Sequence, residues 1–148
     1  MLEQLLTLVK ENAGDAIVNN PAIPNQQNDT AIKETAHGIM QTLQGQLAGG
    51  KIDTFLNLLK SKGDANDPLV TDITQQVSTQ LVNKLGIDKK AAGSVVSSLI
   101  PVVMNKLAHK TNDPNDKSFT LDGIVSAVGG SKVGVTALNS LKGILGNN

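Results

Sequence analysis

The chain has 148 residues, enough for one domain that buries most of its apolar surface and too few for two ordinary ones. Thirteen basic and thirteen acidic residues balance to a formal charge of zero, which removes the general pull towards nucleic acid or anionic membrane that a basic protein exerts. Every basic residue is a lysine, there is no cysteine, and two phenylalanines are the whole aromatic content, so arginine forks, thiol chemistry, thiolate metal sites and base-stacking platforms are excluded.

The first apolar pattern, Leu2, Leu5, Leu6, Val9, Ala13, Ala16 and Ile17, recurs at steps of three and four and predicts a helix from Leu2 to Val18. Glu3 stands where a secretory signal carries basic residues and the apolar run is short, so a cytoplasmic protein is expected. The two prolines and the Asn/Gln run of NNPAIPNQQND predict an exposed loop. A second helix is expected from Asp29 or Thr30 to Leu47, with Ala31, Ile32, Ala36, Ile39, Met40, Leu43 and Leu47 inward and Gly49 and Gly50 as its stop. A third, Ile52 to Lys60, buries Ile52, Phe55, Leu56 and Leu59 before Gly63 ends it.

In GDANDP, Asp67 is expected to cap the fourth helix and Pro68 to take its first position, where the missing amide hydrogen is harmless. That helix turns Leu69, Ile73, Val77, Leu81 and Leu85 inward and ends at Gly86. Ile87 to Leu107 is the most apolar stretch; Ala92, Val95, Val96, Leu99, Ile100, Val103, Met104 and Leu107 form a band wide enough for the central helix of a bundle. Asp88 caps it and Pro101 is expected to bend it. No segment is expected to reach membrane-spanning length. HKTNDPNDKS reads as a polar loop, Thr120 to Val128 as a short sixth helix, and Val133 to Leu145, after Gly129 and Gly130, as a last segment.

A shift of 64 residues aligns Val9 with Ile73, Ala13 with Val77, Ile17 with Leu81, Ile32 with Val96, Ile39 with Val103, Met40 with Met104 and Leu43 with Leu107 without a gap. The chain is therefore expected to be one compact all-α domain, 1–148, of six or seven helices: pseudo-repeated three-helix halves at about 1–63 and 64–130 and a C-terminal helix, 131–148.

The Gly86-Ile87 loop, the long helix carrying Pro101 after Leu99 and Ile100, the polar loop, LDGIVSAVGG and the glycine-containing GILG together resemble the YidB-like bacterial domain of unknown function, over roughly Ile73 to Gly146. The resemblance implies an all-α, multihelical fold and carries no catalytic residues with it.

Candidate chemistry is thin. Gly45 to Lys51 fits the glycine-lysine part of a phosphate loop, but Ile52 follows where a magnesium-binding hydroxyl belongs and a helix precedes it. His37 has Glu34 one turn before it, yet no nucleophile is placed beside the pair, and His109 belongs to the carbonyl end of the fifth helix. Asp113, Asn115 and Asp116 lack the spacing of a calcium loop and read as turn residues, as does the run from Asp64 to Asp67. A helix-turn-helix reading of the fourth and fifth helices fails because only Lys89 and Lys90 open the second of them.

The expectation is a non-enzymatic interaction or scaffold module with no catalytic residue, cofactor, metal or nucleic acid, acting on an unidentified protein partner. The alternative is peripheral membrane or apolar-ligand binding through the amphipathic C-terminal segment. Its apolar face, Val135, Leu138, Leu141, Ile144 and Leu145, is the candidate interaction face; with only Lys132 and Lys142 beside it, membrane-surface association would be weak.

Overall fold

Five α-helices form among residues 2–48, 52–113 and 115, the part of the chain that the computed structural model describes. They are α1 (Leu2–Asn12), α2 (Asn28–Ala48), α3 (Ile52–Ser61), α4 (Pro68–Leu85) and α5 (Lys89–Asn112), with a π-helical turn at Gly14–Val18 and a 3₁₀ turn at Asn25–Gln27. No strand occurs among the described residues, and the fold is an all-α, multihelical bundle. The sixth helix and the last segment expected from the sequence lie outside them.

The helix expected from Leu2 to Val18 is interrupted. It stops at Asn12, whose side-chain amide donates to the Leu8 carbonyl at 2.8 Å, and the bonding then lengthens by one residue: Val18 N–H reaches Ala13 O at 3.1 Å and Asn19 N–H reaches Gly14 O at 2.8 Å. A π turn inserts a residue into the helical register. That keeps both Ala13 and Ile17 fully buried, so the expected inward face survives the change of helix type.

Beyond it, the expected loop carries the 3₁₀ turn, and α2 starts one residue earlier than predicted, at Asn28. The Gln27 side chain reaches across to donate to Leu85 O at 3.3 Å, satisfying one of the carbonyls that the end of α4 leaves open.

Caps at α4 and α5 are as the sequence predicts. Asp67 accepts from Leu69 N–H at 2.9 Å with Pro68 in the first helical position, Gly86 closes α4 at φ +72°, and Asp88 accepts from Ala91 N–H at 2.7 Å. Lys62 and Gly63 both turn left-handed between α3 and α4, at φ +57° and +73°. There Gly63 has no room for a side chain: a Cβ would stand 2.4 Å from the Met104 carbonyl carbon. Asn105 also donates to Lys62 O at 2.9 Å, so the turn is pinned onto α5 from both sides.

The helix α5 runs on through Pro101 and, contrary to the expected polar loop, continues to Asn112. Its last turns are held by packing and by side chains: Ala108 is fully buried, Thr111 donates to Leu107 O at 2.8 Å, and Asn112 donates to Leu59 O of α3 at 3.4 Å. With 24 residues and a mean hydropathy of 1.4 in its most apolar window, α5 is long and apolar enough to cross a membrane by length and composition, which corrects the expectation that no segment would be. Half of that window is buried inside the protein, as in the core helix of a bundle.

The broadest packing joins α4 to α2 and to α5; α1 lies against α2 and α5, and α3 touches α2, α4 and α5. One continuous apolar core runs through all five helices. Fully burying each of its Leu, Ile or Phe side chains contributes about 1.5–3 kcal/mol.

Candidate functional site

Six inward residues of α4, Leu69, Val70, Ile73, Val77, Leu81 and Leu85, commit one side of that helix to the core. Its other side carries Asp72, Gln75, Gln76 and Thr79, all exposed. Two open grooves flank this side. One, about 560 Å³, lies between α4 and α2, where Gln41, Thr42, Gly45 and Gln46 form the opposite wall. The other, about 590 Å³, lies between α4 and α5, where Thr74, Ser78, Val82 and Asn83 face Lys89, Gly93, Val96 and Ser97. Gln75 and Thr79 line both, so the grooves adjoin across α4.

Small residues make the space. Neither Gly45 nor Gly93 has an atom within 4 Å of where a Cβ would stand. Amides bridge the walls of the first groove: Gln80 donates to Gln41 Oε1 at 2.5 Å and Gln46 donates to Asp72 Oδ2 at 3.4 Å. The hydroxyls turn back on their own helices, Thr74 to Val70 O at 2.7 Å, Thr79 to Gln75 O at 3.0 Å and Ser97 to Gly93 O at 2.6 Å, so their lone pairs are what they present to a neighbour. The grooves hold one carboxylate, Asp72, and one ammonium, Lys89, on different walls. Hydrogen bonding by neutral groups is the chemistry on offer.

The residues singled out from the sequence are not gathered here. His37 is exposed on α2 and lines neither groove; Glu34 is half-buried, and His109 is exposed in the last turn of α5. Gly45 is an interior residue of α2, whereas Gly49, Gly50 and Lys51 lie outside the described residues. Asp113 accepts from Asn115 N–H at 2.9 Å and Asp64 from Asn66 N–H at 2.8 Å, the Asx-turn geometry expected of both runs; Asp116 lies outside the described residues. Asp67 is spent on capping α4 and on accepting from Ser61 Oγ at 3.0 Å. Among the described residues no group of three or more His, Asp or Glu side chains could hold a metal ion. The apolar face of Val135, Leu138, Leu141, Ile144 and Leu145 lies outside the described residues.

The grooves themselves went unread in the sequence. Their only signal there is a run of uncharged polar residues, TQQVSTQ from Thr74 to Gln80, with Gln41, Thr42, Gln44 and Gln46 on a helix distant in the chain. Residues 67–148, a little over half of the chain, match the family described as bacterial protein of unknown function (DUF937). No curated protein and no solved structure matches the chain.

Proposed function

The chain belongs to this family of bacterial proteins of unknown function, and from that premise we propose that it is a non-enzymatic interaction module, acting in the cytoplasm, that holds a protein partner. The observation that carries the reading is the pair of adjoining grooves along α4, walled by side-chain amides and hydroxyls. Glutamine both donates and accepts, as the N–H and C=O groups of a polypeptide do, so a row of amides suits backbone recognition. Catalysis asks instead for a nucleophile, base or metal placed beside a reacting atom. Cofactor and nucleic acid have no part in this reading.

A photoreactive amino acid at Gln75, in the full chain expressed in bacterial cells, tests it. The expected result is a covalent adduct with one discrete polypeptide, weakened when Gln41→Ala and Gln46→Ala are introduced together. Adducts scattered over many proteins, or unaffected by the two substitutions, would sink the reading. Leu138→Ser and Leu141→Ser, tested in parallel, ask whether the C-terminal apolar face shares in the contact.

A second reading, peripheral membrane or apolar-ligand binding, is favoured by the half-buried Val82, which lines the same groove as Lys89. Co-sedimentation with anionic vesicles that disappears in Leu138→Ser or Leu141→Ser would support it; a protein that stays in the supernatant at low salt would remove it.

A further inference from the structure

The 3₁₀ turn and α2 together run from Asn25 to Ala48; a shift of 64 residues carries those ends onto Lys89 and Asn112, the ends of α5. The same shift carries the π turn, Gly14–Val18, into the later part of α4. Burial follows it along the main inward stripes, though Leu8 is buried where Asp72 is exposed. Leu5 and Leu69, Val9 and Ile73, Ile17 and Leu81 on the leading helices, and Ile39 and Val103, Leu43 and Leu107 on the following ones, are all buried. A side-chain bond repeats too: Thr7 Oγ1 donates to Glu3 O at 3.1 Å and Thr71 Oγ1 to Asp67 O at 3.3 Å. Helical periodicity aligns apolar stripes at many shifts, but it does not make both ends of the following helix coincide at one.

The packing supplies an independent observation. Within the hairpins, α1 packs on α2 and α4 on α5; between them, α2 packs on α4, while α5 packs on α1 and on the π turn. The shift exchanges those two cross-contacts with each other. Reciprocity of this kind is what a two-fold axis imposes on a self-complementary interface. Hairpins stacked by translation would place α2 on α4 with no return contact from α5 to α1. The two cross-contacts differ in closeness for a visible reason: Gly38 lets α2 close onto Val77, where a Cβ would stand 2.7 Å from Val77 Cγ2, whereas its counterpart is Val102, still 42% exposed on α5.

We propose that residues 3–48 and 67–112 are two copies of one helical hairpin packed as an intramolecular dimer, so that the side of α4 and α5 facing the first hairpin is a hairpin-binding surface whose partner is supplied by the same chain.

The absence of cysteine makes the test direct. Gln41→Cys with Gln80→Cys replaces side chains that hydrogen-bond across α2 and α4. The shift assigns Ala16→Cys with Asn105→Cys as the image of that pair. A short bis-maleimide added to the folded full chain should join the 41/80 pair and its image pair within one chain, each read as a faster-migrating band on a denaturing gel. Crosslinking of 41/80 with the 16/105 pair left unjoined, in chains that keep their native helicity by circular dichroism, would overturn the two-fold arrangement. Crosslinks formed mainly between chains would overturn pairing within one.

Discussion

The first hairpin breaks its leading helix at Asn12 and bridges the break with a π turn, whereas the leading helix of the second runs unbroken from Pro68 to Leu85. Burial is nonetheless in step, with Ala13 beside Val77 and Ile17 beside Leu81 at equivalent depths. The core position of a side chain is thus held more tightly than the hydrogen-bond spacing behind it. Bulk is shared unequally: Ala13, Ala31 and Ala36 in the first hairpin stand opposite Val77, Val95 and Ile100 in the second, all buried. At these three positions the larger side chain lies in the half that matches the family, while Ile32 and Ile39 stand opposite the smaller Val96 and Val103.

The steepest test of that asymmetry is Ile100→Ala, which makes the second hairpin copy Ala36. Ile100 is fully buried, so the loss in urea denaturation should be about 3 kcal/mol from lost burial and the cavity left behind. A loss under about 1 kcal/mol would mean that the second hairpin does not carry the bulk of the packing.

Gly38→Val comes next. The added side chain meets Val77 Cγ2 and approaches Val77 Cα, placed 3.4 Å from the new Cβ, so α2 must move off α4 at a cost of about 2 kcal/mol. The mirror change, Val102→Gly, removes a half-exposed side chain and should cost only about 0.5–1 kcal/mol, chiefly in helix propensity. Equal effects from the two would contradict the unequal closeness of the crossings.

Asp67→Ala removes a cap that also accepts from Ser61, and should lower stability by about 1–2 kcal/mol. The shift sets Glu3, already inside the first turn of α1, opposite Asp67, and Glu3→Ala should stay within about 0.5 kcal/mol of the parent. The smallest effect has the opposite sign. Gly14→Ala adds a Cβ into open space in the π turn and should raise stability by about 0.5 kcal/mol, by favouring helical backbone and restricting the unfolded chain. A loss there would show that the turn needs glycine.

Periodicity located all five described helices, but it gave each of the first four only one inward stripe. Leu8, Leu58 and Thr35 are buried off those stripes. Leu8 and Thr35 lie on helices contacted from more than one direction, α1 by α2 and α5, and α2 by α1, α3 and α4. Thr35 is tolerated there because its hydroxyl donates to Ala31 O at 2.8 Å within its own helix. The polar run HKTN concealed the last turn of α5 for the converse reason: two of its side chains bond to carbonyls of α5 and α3, and Ala108 just before it is buried. Of the candidate site, the sequence displayed the neutral composition of Thr74 to Gln80 and nothing of the walls that face it.

Taken by itself, the sequence determined what depends on neighbours along the chain: helix starts at Asp67 and Asp88, the stop at Gly86, the inward faces, and an exterior of lysines, amides and hydroxyls in place of acid–base clusters. Only the tertiary structure decided which helices meet. That choice rests on close approach at a few points, Gly38 against Val77 and Gly63 against the backbone of Met104 and Asn105. Such contacts are set by shape in three dimensions, and shape leaves no period in a sequence.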